Sequence, residues 1–237
     1  MKVLHSTNMR VLIFDVETTG LLPKNKSKEN YANFPYITQM SFAMYDADAN
    51  RMLSTYNAYV KIPDNVEISE KVRELTGVSR ELLDDEGVSI VNVLQTLYYA
   101  YSVCDVIVGH NMEGFDSVMV EAEAHRNYAL FDNIETATNT ANMFRDDVCQ
   151  THKVAKFCTM KNSIDLCNIL RTNSRGQYKK YPTLCELYEK LFDVKPDNLH
   201  NSMMDVLVCL RCYLMIRHKI TVDDGDFELY VRDSLRF

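Results

Sequence analysis

The sequence contains no long uncharged apolar run. None of its 237 residues lies in a stretch that approaches the roughly 18 uncharged apolar residues needed for a membrane span. The N-terminal sequence MKVLHSTNMRVLIFDVETTG also lacks the apolar core and the small-residue cleavage site of a secretory signal peptide. We therefore expect an intracellular protein of the cytoplasm, or of the nucleus or nucleoid, that is not secreted and has no membrane partner.

The sequence also lacks the cysteine pattern of a secreted disulfide scaffold. Its seven cysteines are odd in number and scattered, which favours a reducing compartment. Two short spacings are typical of metal ligands. Cys209-x2-Cys212 lies in an apolar helical pattern without a second pair, so packing is the better interpretation, and Cys149-x2-His152 with Cys158 lacks a fourth ligand.

No internal repeat, low-complexity tract or linker interrupts the chain. Its composition, 46% hydrophobic and 25% charged, is that of an ordinary globular protein. The length favours one domain. We expect a single domain over residues 1–237, with a core at about 9–218 and a peripheral acidic C-terminal tail at about 219–237.

The N-terminal part of the chain has the pattern of β-strands. Apolar and β-branched residues run into the turn signal Thr-Thr-Gly, and two alternating segments follow. A lysine- and asparagine-rich loop is predicted between the first and second strands, at 21–35. The predicted strands are 10–16, 36–46 and 52–62. They indicate an antiparallel meander.

Helical spacing begins at about residue 69. Ser69 and Ser79 are suitable N-caps for two short helices separated by Gly77. A further apolar strand is predicted at 104–109. The predicted helices are 69–75, 79–83, 89–102, 116–128, 181–192 and 203–218. Strands followed by alternating helices and strands define an α/β fold with a mixed central sheet flanked by helices.

Asp15 and Glu17 lie at the end of the first predicted strand. Alternate residues of a strand point to one face, so the two carboxylates project together. Two carboxylates this close together raise each other's pKa or bind a cation. Gly20, in the turn that follows, lets the backbone approach a ligand. Two solvated turn acids are the alternative interpretation of this pair.

Three more residues are candidates for the same site. Asp116 follows the strand at 104–109 and opens a helix, where an ordinary first-turn acid is the alternative. Asp205 interrupts an apolar helical run, and a carboxylate buried there needs a cation, a basic group or solvent. His200 precedes that helix in a segment that begins at Pro196, where a lone histidine is usually a surface or capping residue.

These residues are more informative together than singly. In phosphodiester hydrolysis, two divalent cations about 3.5–4 Å apart activate a water and stabilise the leaving oxygen. Carboxylate-rich ligand sets favour Mg²⁺ or Mn²⁺ over zinc. Histidine, with an unperturbed pKa of about 6.5, can accept the proton of the water at neutral pH.

The sequence at these positions resembles the DEDDh branch of the DnaQ-like exonucleases. FDVETTG at 14–20 is similar to the first motif of that family, HN-x3-FD at 110–116 to the second and H-x4-D at 200–205 to the third. The segment at 75–87, which begins LTGVS, is similar to the helical region before the second motif. The resemblance extends over residues 11–213.

The resemblance implies an RNase H-like exonuclease fold and a 3′→5′ exonuclease that releases nucleoside 5′-monophosphates from DNA or RNA. It also implies two divalent cations, Mg²⁺ or Mn²⁺, bound by Asp15, Glu17, Asp116 and Asp205. Asp15 would bridge both cations, while Glu17 and Asp205 would hold the one that carries the nucleophile. Asp116 would serve the other cation, partly through water, and His200 would be the general base.

The resemblance further implies contacts between the 3′-terminal nucleotide and the first two motifs. The expected contact residues are Thr18, Thr19, Gly20, Leu21, Asn111 and Phe115. The chain departs from the family at Asn201-Ser202, which replaces the Arg-Ala common after the motif histidine. Because residue 201 is also not Tyr, the tyrosine-based sister branch is disfavoured.

The formal net charge of −7 argues against a polyanionic partner. That argument is weak where cations neutralise a carboxylate site and a local basic strip binds phosphate. Two strips of this kind are present: Lys24, Lys26 and Lys28, and then Arg171, Arg175, Lys179 and Lys180. For either strip alone, a solvated polar loop is the better interpretation. Tyr31, Phe34 and Tyr36 would stack exposed bases or cover the core edge.

The expected partner is therefore the 3′ end of single-stranded DNA or RNA, with a single-stranded or mismatched DNA end slightly favoured. RNA-specific trimming or an oligoribonuclease-like activity would use the same catalytic residues. A polymerase partner or a homo-oligomer is left open. Two alternatives outside the enzymes are a non-catalytic nucleic-acid-binding module and a metal-stabilised structural domain. The intact acidic set counts against a module that has lost its catalytic activity.

Overall fold

A mixed β-sheet forms the centre of the protein in a computed structural model that describes residues 9–234. Over these residues, the spatial order of the sheet is β3-β2-β1-β4-β5. Its strands are β1 (Arg10–Thr18), β2 (Ile37–Asp46), β3 (Arg51–Tyr59), β4 (Val106–Gly109) and β5 (Ala155–Cys158). The predicted α/β class with a mixed sheet is confirmed.

Pairing within the sheet follows the predicted meander. β1 is antiparallel to β2, from Arg10 opposite Asp46 to Thr18 opposite Ile37, with a register shift after Glu17. β3 continues the meander antiparallel to β2. β4 is parallel to β1, and β5 is parallel to β4. The carboxyl ends of β1, β4 and β5 therefore lie along one edge of the sheet.

Helices cover both faces of this sheet. Within residues 9–234 they are α1 (Glu70–Thr76), α2 (Arg80–Glu86), α3 (Ile90–Ser102), α4 (Asp116–Arg126), α5 (Ile134–Asn142), α6 (Asp146–His152), α7 (Ile164–Cys167), α8 (Leu184–Phe192), α9 (Ser202–His218) and α10 (Asp224–Ser234). A separate antiparallel hairpin, β6 (Leu170–Asn173) and β7 (Gly176–Lys179), lies outside the central sheet.

The strand β1 distributes its side chains between two apolar clusters. Leu12, Phe14 and Val16 belong to a buried cluster with residues of α3, α4 and α5. Val11 and Ile13 belong to a buried cluster with residues of α8 and α9. Because side chains alternate along a strand, Asp15 and Glu17 lie on the α9 side of the sheet.

Helix α9 is apolar nearly all round and is buried accordingly. Its residues from Ser202 to Leu214 are buried, with Asp205 as the half-buried exception. The helix packs against β1, β2 and β4 and is flanked by α8 and α10. This packing places the first turn of α9 beside the carboxyl end of β1.

The predicted starts of α1 and α2 are confirmed. Ser69 Oγ accepts the N–H of Val72, and Ser79 Oγ accepts the N–H of Leu82. Gly77 ends α1 with a left-handed φ of 73°, a conformation that costs glycine little.

The predicted loop at 21–35 contains a short 3-10 helix, Lys28–Asn33. Tyr31 and Phe34 are buried in the core cluster, so the suggestion that they stack exposed bases is wrong. The guanidinium of Arg126 lies 4.0 Å from the ring centroid of Tyr36. The aromatic residues of this segment attach it to the core instead.

The C-terminal segment at 219–237 is not a free tail where the structure describes it. Residues Asp224–Ser234 form α10. Phe227, Tyr230 and Val231 pack against the cluster around α9. Their i, i+3, i+4 spacing gives α10 one apolar face, which the excess of acidic residues concealed. The division of the chain into one domain stays a prediction.

The cysteine spacings show no metal-binding geometry in the described part of the chain. Cys209 and Cys212 are buried in α9. Cys149 Sγ contacts the hydroxyl of Tyr101 and the carbonyl of Met143, so it serves packing. Among residues 9–234, no helix is both long enough and apolar enough to cross a membrane.

Candidate active site

Four carboxylates from distant parts of the chain meet at the end of β1. Asp15 and Glu17 come from β1, Asp116 is the first residue of α4, and Asp205 lies in the first turn of α9. Ligand oxygens of Asp15, Glu17 and Asp205 lie within 4.8 Å of one another. The structure thus brings together the whole predicted acidic set.

Asp116 is held against β1 by the backbone. The N–H of Val16 donates to Asp116 Oδ1 at 3.2 Å, and the side chain is buried. The turn between β4 and α4 permits this approach because Asn111 takes a left-handed φ of 67°. A Cβ at Gly109 would lie 2.8 Å from Met112 Cβ, so only glycine fits where β4 enters the turn.

The first turn of α9 is fixed to β1 by Asn201 and Ser202, where the chain departs from the motif that it resembles. Asn201 Oδ1 accepts the N–H groups of Met203 and Met204 at 3.1 and 3.4 Å, which caps the helix. Ser202 Oγ donates to the carbonyl of Asp15 at 2.7 Å. Asn201-Ser202 therefore provides a cap and an anchor that keep Asp205 beside Asp15.

His200 is exposed and lies at the rim of the site. Its backbone has a left-handed φ of 71°. Its N–H donates to Asp205 Oδ2 at 2.9 Å. The backbone is therefore held by one of the acids, and His200 is among the residues that line the cleft.

The carboxylates strongly affect one another. Burial raises the pKa of Asp15 well above its usual value, and the nearby charges of Asp116 and Asp205 raise it further. Burial, with the same neighbours, raises the pKa of Glu17 to about 8.

Burial also raises the pKa of Asp116 and that of Asp205 to about 7. The N–H of Val16 opposes the shift at Asp116, and the N–H of His200 opposes it at Asp205, because both donors favour the charged form. Without a cation, such a cluster keeps protons at neutral pH.

The acids line a cleft of about 390 Å³. The other predicted site residues in its wall are His200, Asn111 and Phe115. The cleft lining also includes residues that had no predicted role, namely His110, Met160, Tyr181, Pro182, Thr183 and Leu184.

The other predicted contact residues lie in the turn after Glu17 and not in the cleft wall. Thr18 Oγ1 donates to the carbonyl of Gly20 at 2.6 Å, and Thr19 Oγ1 accepts the N–H of Tyr36 at 3.0 Å. Leu21 is 89% exposed. Contacts from these residues to a nucleotide stay a prediction.

His110 connects the end of β4 to the opposite wall of the cleft. Its Nε2 lies 3.1 Å from the carbonyl of Pro182, and its Nδ1 lies 3.0 Å from Thr159 Oγ1. Burial lowers the pKa of His110 to about 4, so the ring is neutral. Because a carbonyl only accepts, Nε2 carries the hydrogen and Nδ1 accepts from Thr159. The second motif contains His110, but no local pattern indicates its contact with this distant carbonyl.

The donor set fits a divalent cation. The group formed by Asp15, Glu17 and Asp205 offers only carboxylate oxygens, which are the ligands that hard divalent ions prefer. A bound cation would also relieve the repulsion that raises the pKa values of these acids. Asp116, hydrogen-bonded to Val16 next to Asp15, completes the acidic wall.

The sheet order, the helices on both faces and the acids at the end of β1 define a nuclease fold of the RNase H-like class. The family model described as exonuclease, of the RNase T type, matches residues 12–213. The chain belongs to this exonuclease family. The resemblance of the sequence to an exonuclease family is thereby confirmed.

Solved structures of exonuclease I share the fold. The Escherichia coli enzyme in complex with a dT13 oligonucleotide is 16% identical, with a TM-score of 0.61 over 89% of this chain and 42% of that one. The zinc-bound form of the E. coli enzyme with single-stranded DNA is 13% identical, with a TM-score of 0.62 over 95% of this chain and 43% of that one. Exonuclease I of Methylocaldum szegediense is 14% identical, with a TM-score of 0.58 over 95% of this chain and 43% of that one.

The chain spans less than half the length of these exonuclease I structures. At such identities the likeness concerns the fold alone. Among curated proteins, no significant match to the chain is found.

Proposed function

We propose that the chain hydrolyses phosphodiester bonds from the 3′ end of single-stranded nucleic acid and releases nucleoside 5′-monophosphates. The observation that carries this proposal is the meeting of Asp15, Glu17, Asp116 and Asp205 at one sheet edge. Membership of the exonuclease family supports the reaction class. The match to exonuclease I in complex with a dT13 oligonucleotide supports a single-stranded DNA end as the preferred substrate.

The acids would bind two divalent cations, Mg²⁺ or Mn²⁺. Asp15 is central, because its pKa responds to Asp116, Asp205 and Glu17. Glu17 and Asp205 would complete one cation site with Asp15, and Asp116 would serve the other. Bound divalent ions would supply a nucleophilic water at neutral pH and stabilise charge on the leaving oxygen.

His200 would accept the proton of the attacking water. The residue lines the cleft, and its backbone N–H is held by Asp205. The proton acceptor is thus attached to one of the proposed cation ligands. The exposed position lets the ring exchange its proton with solvent after each turnover.

Residues of the cleft wall would orient the terminal nucleotide. Asn111 and Phe115, just before α4, line the cleft together with Met160 and Tyr181. Phe115 and Tyr181 would offer aromatic rings to the terminal base, and Asn111 would offer an amide for hydrogen bonding. The contact of His110 with the carbonyl of Pro182 connects the end of β4 to the segment that contains Tyr181.

The proposal is tested with 5′-labelled DNA and RNA in single-stranded, paired and mismatched form. We expect a ladder that shortens from the 3′ end of single-stranded DNA with Mg²⁺ or Mn²⁺ and disappears with a chelator. The Asp15→Asn variant is the matched inactive control. A blocked 3′ end that is cleaved as fast as a free one would contradict the proposal. Faster shortening of RNA would replace the DNA preference with an RNA one.

A further inference from the structure

The hairpin β6–β7 is exposed along its whole length. Each residue of Leu170–Asn173 and Gly176–Lys179 is exposed. The two strands pair only with each other in the described part of the chain. The hairpin thus has a free surface that the catalytic site does not use.

This hairpin is basic, although the chain as a whole is acidic. Residues 169–181 include two arginines and two lysines but no acid, while the chain has a net charge of −7. Lys179 pairs with Asp165 and Lys180 with Glu186, each at 2.7 Å. Arg171 and Arg175 form no ion pair with any residue between 9 and 234. These two guanidinium groups are therefore available to an anion.

The arginine and an aromatic ring share one face of the hairpin. Arg171 lies directly opposite Tyr178, whose side chain is 46% exposed. Opposite residues of an antiparallel pair point to the same face. Thr172 and Gln177 are also opposite each other, on the other face. A guanidinium next to an exposed ring combines a phosphate contact with a surface on which a base can stack.

The hairpin leads directly into the wall of the cleft. Strand β7 ends at Lys179, and Tyr181 and Pro182 line the cleft. The carbonyl of Pro182 is bound to Nε2 of His110 at 3.1 Å, so this end of the hairpin is fixed. Tyr178 precedes Tyr181 by three residues, a separation of about 10 Å in extended chain. Tyr181 is 55% exposed.

We propose that the face of the hairpin formed by Arg171 and Tyr178 binds the single strand next to the nucleotide in the cleft, on its 5′ side. Arg171 contacts the backbone phosphates, Tyr178 stacks on a base, and Arg175 at the turn adds charge further along the strand. The proposal rests on the proposed function, because that function places the 3′ end in the cleft. The hairpin then makes the enzyme favour longer single strands over very short ones.

The test compares substrates that reach the hairpin with substrates that do not. We would measure kcat/KM on an oligodeoxythymidylate of about 20 nucleotides, longer than typical single-strand sites of about 4–16 nucleotides, and on a dinucleotide. For Arg171→Ala and Tyr178→Ala we expect the ratio of the two kcat/KM values to fall about tenfold, as loss of one stacked base or one phosphate contact predicts. For Arg171→Ala, the salt dependence of oligonucleotide affinity weakens by about 0.7 in log–log slope.

The control variants are Thr172→Ala and Gln177→Ala on the opposite face, and Arg51→Ala. Arg51 opposite Asp46 lies at the end of the sheet away from Glu17, so it controls for loss of charge. We expect these variants to keep the wild-type ratio and salt slope. Unchanged values for Arg171→Ala and Tyr178→Ala, or equal losses in the controls, would overturn the proposal.

Binding in the presence of a chelator separates this proposal from the proposed function. The dissociation constant of a 5′-fluorescein-labelled oligonucleotide is measured by anisotropy without turnover. Weaker binding by Arg171→Ala and Tyr178→Ala supports the hairpin proposal, even if the wild-type protein cleaves nothing. Absence of cleavage by the wild-type protein would contradict the proposed function. If the variants bind as tightly as the wild type and the wild-type protein cleaves its substrate, only the hairpin proposal is contradicted.

Discussion

At Asp15, both the backbone carbonyl and the carboxyl group are close to α9. The carbonyl accepts the hydroxyl of Ser202, and the carboxylate lies near Glu17 and Asp205. Burial raises the pKa of the carboxyl group, and a hydrogen bond from Ser202 opposes the rise. Asparagine keeps the backbone carbonyl and a side-chain oxygen, so Asp15→Asn should keep the attachment of α9 to β1. We expect Asp15→Asn to abolish cleavage and to raise the melting temperature of the metal-free protein, because asparagine is neutral without the proton that the buried carboxyl group must take up. Turnover near that of the wild type would show that Asp15 does not bind the catalytic cations, and Asp165→Asn is the surface control.

His200 gives a prediction of a different kind. We expect His200→Ala to slow cleavage by roughly 10²–10⁴, the usual contribution of a general base, without a change in melting temperature. The loss should also change the shape of the pH–rate profile. His125→Ala, on the far side of α4 from Asp116, is the control. A profile of unchanged shape in His200→Ala would exclude the histidine from this role.

At the scale of elements, the N-terminus of α9 determines the position of both His200 and Asp205. Asn201 caps this helix through its side-chain oxygen. We expect Asn201→Ala to destabilise the protein by about 1 kcal/mol and to lower the melting temperature by about 2–4 °C. It should also reduce kcat. Asn201→Ser keeps a capping oxygen without a charge and should restore stability, whereas an unchanged melting temperature in Asn201→Ala would show that the cap contributes nothing.

The elements that were predictable from the sequence carry strong local signals. Strand β1 is an apolar run that ends in a turn, and Ser69 and Ser79 are the N-cap residues of α1 and α2. The meeting of Asp15, Asp116 and Asp205 was implied by the resemblance of three motifs to those of the exonuclease family. The structure adds their actual geometry.

The elements that were missed have weak local signals. Helix α5 is rich in threonine and asparagine, and β5 and the hairpin strands have four residues each. Their stability depends on pairing and packing with distant residues, which no local pattern reports. For the same reason the sequence could not place Met160 and Tyr181 in the cleft wall. The contact between His110 and Pro182 likewise depends on tertiary structure.

At the scale of the whole molecule, the acidic cluster couples stability to pH and to cations. The pKa of Glu17 is raised to about 8, and those of Asp116 and Asp205 to about 7. A raised pKa means that the folded state binds more protons than the unfolded one. The contribution of these groups to stability is therefore full below about pH 4, their unfolded pKa range, and is lost as the pH rises through 7 and 8.

Bound cations should restore the stability that the protein loses as the pH rises. We expect the increase in melting temperature produced by Mg²⁺ or Mn²⁺, relative to chelator, to grow between about pH 6 and pH 8, as binding linked to proton release predicts. Asp15→Asn should show a much smaller increase. Thermal unfolding at several pH values, with and without cation, measures this. An increase that is independent of pH would show that the raised pKa values do not belong to the cation ligands.

The most direct measurement of the central claim is a titration of the metal-free protein with Mn²⁺, followed by electron paramagnetic resonance, in the presence of a nucleoside 5′-monophosphate. Two Mn²⁺ ions should bind to the wild-type chain, Asp15→Asn should bind neither tightly, and Asp165→Asn should bind both. If Asp15→Asn bound Mn²⁺ as the wild type does, the four acids at the end of β1 would not form the metal site of this enzyme.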